Sequence, residues 1–357
     1  MALGTASIVG SSSFLILTEI LILCGNILVI VAVAKNKSMQ TVTNFLIVNL
    51  SITDLLVAVF NCPLMFLAIL AEGWIVGAVM CKVSGFLNVV FCCASIFTLT
   101  AISVDRYYCI TRPSKTIITK RKAVYMIVVI WLIVMSFAML PILGWNKYVY
   151  IDARKHCMIL WQMGGTDSAY AIFLSVSSFV VPTWIMIFCY YKIFSTARKQ
   201  AKKFQKLIIA GSPQASRHAH STCKVSPCVA RTTRFVPQVN DGLILESVNT
   251  VSGMGRLSNR SSIAGEENIS KKLLTVDITR DKAERRTARF ILIVIGVFQI
   301  CWLPYAALNQ WSAITGQSPP GPADLGASLL AYFNSGCNAI IYTIFNAKFR
   351  NAFRKVQ

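Results

Sequence analysis

Apolar residues in this chain gather into seven long runs, at roughly 13–34, 41–70, 78–109, 122–143, 169–196, 285–313 and 324–345. About 20 apolar residues cross the hydrocarbon of a bilayer as one α-helix. A lipid-facing strand barrel would instead alternate in segments of about ten residues. These runs are longer and do not alternate. The pattern predicts an all-α membrane protein, a seven-transmembrane helix bundle. After the last run, AKFRNAFRKV (347–356) sets Phe349 and Phe353 at i, i+4 among basic residues. That is the spacing of a short amphipathic C-terminal helix lying on the inner leaflet. Between about 200 and 282 the chain is polar, Ser/Thr-rich and basic with no sustained period, which predicts a largely disordered cytoplasmic loop. The expected order is an extracellular stretch over 1–12, transmembrane helices one to five over 13–199, the loop over 200–282, helices six and seven over 283–345 and the surface helix over 346–357.

Composition sharpens this reading. The chain is 55% hydrophobic and 14% charged, against about 45–50% and about 25% in soluble domains, which excludes an ordinary water-soluble enzyme. The formal charge of +21 would suit nucleic acid, but the cations flank the apolar runs and form no basic-aromatic module. Flanking cations set membrane orientation and attract anionic headgroups. Lys35 and Lys37, the third-to-fourth connection, the dense set from Arg198 to Arg286, and Lys348, Arg350, Arg354 and Lys355 lie on one side. Glu72, Lys82, Lys147, Asp152, Arg154, Lys155 and Asp324 are sparse and mixed on the other. The positive-inside rule then puts the N-terminus outside and the C-terminus in the cytosol. Residues 1–13 are small and uncharged, and the first run spans by itself, so no cleavable signal is expected. Most of the 12 Cys are scattered singly in apolar runs. Cys81 and Cys157 both face the oxidising side, where a bridge is allowed, although sequence leaves the pairing open.

Polar residues inside spans are costly and are functional candidates by default. Asp54 lies in NLSITDLL (49–56), Asn26 in GNILVI (25–30), and Asn334, Ser335 and Asn338 in the seventh run. Such a cluster could hold a small cation or be a purely structural hydrogen-bond network. In ISVDRYYCI (102–110) an unpaired Arg106 would be costly. Asp105 and Glu284 are partners for it, and a polar latch between helix ends is a two-state element. The alternative is an arginine snorkelling to headgroups.

The ordered set GN at 25–26, NLSITD at 49–54, Cys81, DRY at 105–107, Trp131, Cys157, Pro182, CWLPY at 301–305 and NAIIY at 338–342 resembles the rhodopsin-like (class A) G-protein-coupled receptors, among them amine-type and orphan receptors. The resemblance covers about 280 residues. It implies an extracellular disulfide Cys81–Cys157 and a sodium-binding cluster of Asp54, Ser95, Asn334 and Asn338. It makes Trp302 a pocket-floor switch, and Pro182, Ile96 and Phe298 a core trio that repacks on activation. It pairs Arg106, within Asp105-Arg106-Tyr107, with Glu284 in the inactive state, and has Tyr190 and Tyr342 swing towards Arg106 when active. The implied partners are a heterotrimeric G protein, arrestin and receptor kinases, at a multi-pass site in the plasma membrane.

Departures from the pattern matter as much. Ala339 stands where the family usually has Pro, so the helix keeps a backbone donor and should kink less. Ser114 replaces a bulky apolar residue that docks into the G protein, which points to weak or unusual coupling. Asn88 replaces the carboxylate of amine receptors and cannot offset an ammonium. Tyr332 occupies the retinal-attachment position, and a Schiff base needs an amine, so no retinal is expected. The pocket carried over by position comprises Asn88, Val89, Cys92, Leu174, Ser175, Ser178, Trp302, Tyr305, Ala306, Asn309, Ser328 and Tyr332. That lining suits a small neutral or weakly polar ligand. The runner-up reading is an orphan receptor with high basal activity or weak coupling and no dedicated small-molecule agonist.

In the long loop, AGSPQ (210–214) fits a three-position Ala-x-Ser-x-Gln pattern that resembles a ciliary targeting signal, and so short a pattern arises readily by chance. Ser258, Ser261 and Ser262 near Arg256 and Arg260 resemble basophilic kinase sites. A transporter would show inverted repeats and broken midplane helices, and a channel a charged pore lining. An enzyme would need a nucleophile with a base or metal set, yet all three His lie in loops.

Overall fold

Lipid offers no hydrogen bonds, so each spanning segment must satisfy its backbone internally, and a long apolar segment does so as an α-helix. The computed structural model describes residues 4–112, 118–161, 166–210, 292–345 and 347–356. The spanning helices are α1 (Thr5–Lys35), α2 (Val42–Leu70), α3 (Ala78–Thr111), α4 (Lys120–Met139), α5 (Ser168–Lys199), α6 (Leu292–Thr315) and α7 (Gly321–Phe345). A last helix, α8 (Ala347–Val356), follows. The chain divides into two compact units, Met1–Ile193 with Thr287–Gln357, and Phe194–Arg286. In the second unit helix continues to Ala210, with the Arg198 guanidinium 4.4 Å from the Phe194 ring centre. The rest of the long loop, with Glu284, Ser258, Ser261 and Ser262, lies outside the described residues, and so does Ser114.

In the first unit the polar and apolar faces are inverted relative to a soluble protein. Large apolar side chains face outward, among them Leu17, Leu132, Trp184 and Ile300, while Asn26, Asp54, Ser95 and Asn338 are buried. Six of the helices are long and apolar enough to cross a membrane. α7, with 25 residues, falls short in apolarity because it carries Asp324, Ser328, Asn334, Ser335 and Asn338, all turned inward.

Boundaries differ from expectation for local reasons. α1 begins at Thr5, ahead of the expected start at 13, because Gly4 accepts the first-turn bonds from Ser7 and Ile8. α4 stops at Met139: Leu140 keeps helical dihedrals but bonds back only three residues, to the Phe137 carbonyl, and Pro141 has no backbone donor to carry the helix on. Two spans contain a π turn, Val57–Asn61 in α2 and Val176–Val180 in α5. Each comes just before a proline, Pro63 and Pro182. A proline removes one i→i−4 bond and its ring clashes with the preceding turn, and the wider π turn absorbs the displaced backbone.

Among the described residues the one departure from helical spans and their turns is an antiparallel hairpin of β1 (Tyr148–Ile151) and β2 (His156–Ile159), in which Tyr150 faces Cys157 across the strands. The Cys81–Cys157 disulfide, with Cα atoms 5.3 Å apart, ties β2 to the start of α3. Gly85 of α3 clears the way for the hairpin: a Cβ there would lie 2.6 Å from the Tyr148 ring. At the other end the expected C-terminal helix is present, and its Phe349 is fully buried and stacks on Tyr342 of α7 at 5.4 Å.

Gly25 accounts for how closely α1 approaches α7. A Cβ at 25 would sit 2.4 Å from the Cβ of Ala339. Ala339, in the place where a proline was expected, is thus itself a contact surface, 4% exposed. Gly25→Ala should destabilise the folded protein by about 1–3 kcal/mol through overpacking. The paired change Gly25→Ala with Ala339→Gly should recover most of that loss. Thermal melts of the purified variants check both, and an unchanged melt for Gly25→Ala would refute the close contact.

Candidate ligand pocket and activation core

The inner end of α3 carries the acid–base pair anticipated from DRY. The Arg106 guanidinium donates to Asp105 Oδ2 from Nη2 at 2.9 Å and from Nε at 3.2 Å. Thr43 Oγ1 of α2 donates to the same oxygen at 2.5 Å, so Asp105 both holds Arg106 and ties α2 to α3. Thr43 had no signal in the sequence beyond its place near the cytosolic end of a span. Tyr190 of α5 donates to Ser103 Oγ at 3.2 Å, one turn from Arg106. Tyr107 packs against Tyr108 at 5.0 Å and Phe188 at 6.2 Å, and Tyr342 is buried against α8.

Midway along the bundle Asp54 is fully buried. Asn338 Nδ2 donates to its Oδ2 at 3.0 Å and Ser95 Oγ to its Oδ1 at 3.4 Å. The Ser335 hydroxyl also reaches this carboxylate, a residue placed in the polar seventh span by sequence but outside the four-residue set. Asn334 is buried on the same helix. Asn26 of α1 closes the cluster by donating to the Ser335 carbonyl at 3.2 Å. Nearby, Trp131 of α4 donates to Asn49 Oδ1 at 3.0 Å, and Asn49 donates to Thr98 of α3 at 2.8 Å.

Towards the outer end lies a cavity of about 90 Å³. Every pocket residue expected by position lines it: Asn88, Val89, Cys92, Leu174, Ser175, Ser178, Trp302, Tyr305, Ala306, Asn309, Ser328 and Tyr332. Inside it Asn88 Nδ2 donates to Tyr332 Oη at 2.5 Å, and Gln310 donates to Ser175. The indole N–H groups of Trp161 and Trp302 have no protein acceptor among the described residues. The floor is a run of rings, with Tyr305 edge-on to Trp302 at 5.7 Å, Trp302 to Phe298 at 6.3 Å and Phe298 to Phe179 at 6.2 Å. Ile96, Phe298 and Trp302 share one apolar cluster with Tyr190, and Pro182 is buried one turn from Met186 of that cluster.

Sequence reasoning missed the roof. His156, Met158, Ile159 and Trp161 of the hairpin segment also line the cavity. The disulfide was the available signal: a chain tied at Cys157 to the top of α3 must pass over the mouth. Arg154, read from sequence as one of a few scattered outer charges, is 2% exposed and paired with Asp324 of α7, its Nε at 2.8 Å from Oδ2. Lys155 is as deeply buried, donating to Asp152 at 2.7 Å and to the Glu72 carbonyl at 3.3 Å. The bond from Lys155 holds the Asp152 carboxyl below the usual range.

Burial pushes His156 down from 6.5 to about 4, so its ring is neutral at physiological pH. Its Nδ1 lies 2.9 Å from the Arg154 carbonyl, which assigns the ring proton to Nδ1 as a donor to that oxygen. The folded ring resists protonation while the unfolded one takes a proton near 6.5. Stability is therefore full above about pH 6.5 and falls as pH drops towards 4, where the loss is of the order of 3 kcal/mol. Melting curves between pH 7 and pH 4 should show a smaller acid-induced drop for His156→Gln than for the parent chain. Equal drops would place the acid sensitivity elsewhere.

Known proteins resemble this chain along most of its length. It is 32% identical to the 5-hydroxytryptamine receptor 1A-alpha of Takifugu rubripes, over 94% of this chain and 85% of that protein. It is 30% identical to the octopamine receptor beta-2R of Chilo suppressalis, over 95% and 77%. Among solved structures, squid rhodopsin matches with a TM-score of 0.73 at 23% identity, over 99% of this chain and 86% of that one, a likeness of fold. The model of the family described as 7 transmembrane receptor (rhodopsin family) matches residues 25–342. The chain therefore belongs to the rhodopsin family of seven-transmembrane, G-protein-coupled receptors, which are signalling proteins and not enzymes.

Proposed function

We propose that this receptor converts the state of its outer cavity into nucleotide exchange on a heterotrimeric G protein through a shift between two packings of the bundle. The observation that carries this reading is the unbroken packing from the cavity floor inward. Tyr305, Trp302 and Phe298 are in ring contact, and the apolar cluster around them reaches Tyr190, which is bonded to Ser103 beside Arg106. In the activated packing α6 swings outward at its inner end, Arg106 leaves Asp105, and Tyr190 and Tyr342 turn towards it.

The ligand we infer is small and uncharged. The cavity lining has no charged side chain among the described residues, and Asn88 cannot offset a cation. The relatives are named for 5-hydroxytryptamine, octopamine and adrenergic ligands, and the neutral wall argues for a different chemistry here. Tyr332, bonded to Asn88, offers no amine for a retinal Schiff base. The site of this reading is the plasma membrane with the N-terminus outside, an orientation that the flanking cations and the Cys81–Cys157 disulfide support. Arrestin and receptor kinases are the further partners of this reading.

The Asp54 cluster fits a sodium ion. Its carboxylate is fully buried, receives neutral donors from Ser95 and Asn338, and has no cationic side chain paired with it among the described residues. An unpaired buried carboxylate is costly. Oxygens of Asp54, Ser95, Asn334 and Asn338 would hold the ion, which would neutralise the carboxylate and fasten α2, α3 and α7 in the resting packing.

Two experiments test these readings. Purified receptor should catalyse nucleotide exchange on at least one Gα class, and Arg106→Ala should lower that rate at least tenfold. Exchange that is absent across a full Gα panel, or equal in both forms, would refute the coupling role. Sodium should lower ligand-free exchange in the parent chain and leave Asp54→Asn unaffected. The same sodium response in both would refute the ion assignment.

A further inference from the structure

The outer end of the bundle buries a cation that belongs to the chain itself. Arg154 and Lys155 are among the largest fully buried side chains in the molecule, and they sit side by side at the hairpin turn. Arg154 Nε reaches both Asp324 oxygens, at 2.9 and 2.8 Å. Its Nη1 meets Met158 Sδ at 3.0 Å, and its guanidinium carbon stands 5.1 Å from the centre of the Tyr305 ring. A carboxylate beside an aromatic face is the chemistry by which proteins recognise cationic ligands. Asp324 comes from the first turn of α7 and Tyr305 from α6, and Tyr305 also lines the cavity.

Holding the loop in place does not by itself require this pair. The disulfide already fixes Cys157, three residues on, and a buried ion pair contributes little net stability once both charges are desolvated. The turn also adopts a conformation that costs something. Lys155 has φ +53, in the left-handed region that non-glycine residues seldom enter, and this geometry accompanies the descent of Arg154 into the bundle mouth.

We propose that Arg154 is a tethered cationic ligand. Asp324 and Tyr305 form a cation site at the mouth of the cavity, the hairpin fills it with its own guanidinium, and an outside guanidinium or ammonium compound can occupy it only by displacing Arg154. This deepens the receptor reading and rests on it: the site lies on α6 and α7, beside the ring that touches Trp302. A short tether holds its ligand at an effective concentration of the order of millimolar or above. The parent chain should therefore ignore soluble cations below that level.

The test is chemical rescue of purified, full-length receptor with methylguanidine, read as melting temperature. Arg154→Ala should melt lower than the parent chain. Millimolar methylguanidine should raise that melt saturably, at least halfway back, while urea at equal concentration should not. The parent chain should respond to neither, and adding Asp324→Asn to Arg154→Ala should abolish the rescue. Arg154→Ala that is not recovered alone should be recovered when methylguanidine is present throughout purification. No rescue, rescue equal with urea, rescue that survives Asp324→Asn, or failure to recover the variant even with methylguanidine would each overturn the assignment. The assay contains no G protein, so a negative result leaves the coupling reading standing. Absent nucleotide exchange, conversely, would not alter the rescue.

Discussion

Inside a bilayer a buried polar group has no water to turn to, and this constraint organises the structure. Inward polar side chains gain most by pairing with the same helix or a neighbouring one, so polar residues act as fasteners between helices. Asn26 fastens α1 to α7 through the Ser335 carbonyl. Asn49 joins α2 to α3 and α4 by accepting from Trp131 and donating to Thr98. Asp54 gathers α2, α3 and α7, and Asp105 holds α2 and Arg106 together. The apolar contacts between them set how close the helices come, as Gly25 against Ala339 illustrates. Fasteners that can exchange partners allow more than one packing, and that property is what a receptor needs.

How much of this was legible in sequence follows from the same constraint. The spans could be read because lipid demands long apolar runs, and α7 could be read despite its polarity because its polar residues recur among apolar ones. Asp54, Asn26 and Arg106 stood out because their cost in lipid is high. The motif set carried the cavity walls onto the right positions, down to Asn88 facing Tyr332. Contacts across long sequence separations were not readable. Arg154 and Asp324 are 170 residues apart, and neither is unusual in a solvent-side loop or helix start. The hairpin strands have 4 residues each, too few for a period to show. The expectation that Arg106 pairs with Glu284 falls on a residue outside the described part of the chain, and Asp105 is the partner observed.

Ala339 changes meaning once its neighbour is known. As a missing proline it suggested a less kinked helix. As a 4% exposed contact of Gly25 it also helps set the spacing of α1 and α7. At the other end, the uncharged cavity and the buried charge above it belong together. The wall residue Asn88 removes a carboxylate from the pocket, while at the mouth α7 supplies a carboxylate, Asp324, and the hairpin supplies the cation paired with it, Arg154. Electrostatics at this mouth are thus settled within the chain, in contrast to a pocket built to attract an ammonium from outside.

The function proposed for this receptor requires a bundle with two packings that differ at the inner ends of α3 and α6. The most direct measurement is the distance between spin labels at Cys109, exposed near the end of α3, and at Leu292→Cys, on the exposed start of α6, with Cys24, Cys223 and Cys228 replaced so that they take up no label. Electron–electron resonance on receptor in lipid discs, with and without nucleotide-free G protein, reads that distance as a distribution. A second, longer distance that grows when G protein is added is the predicted result. A single distribution unmoved by a G protein that demonstrably binds would contradict the two-packing account.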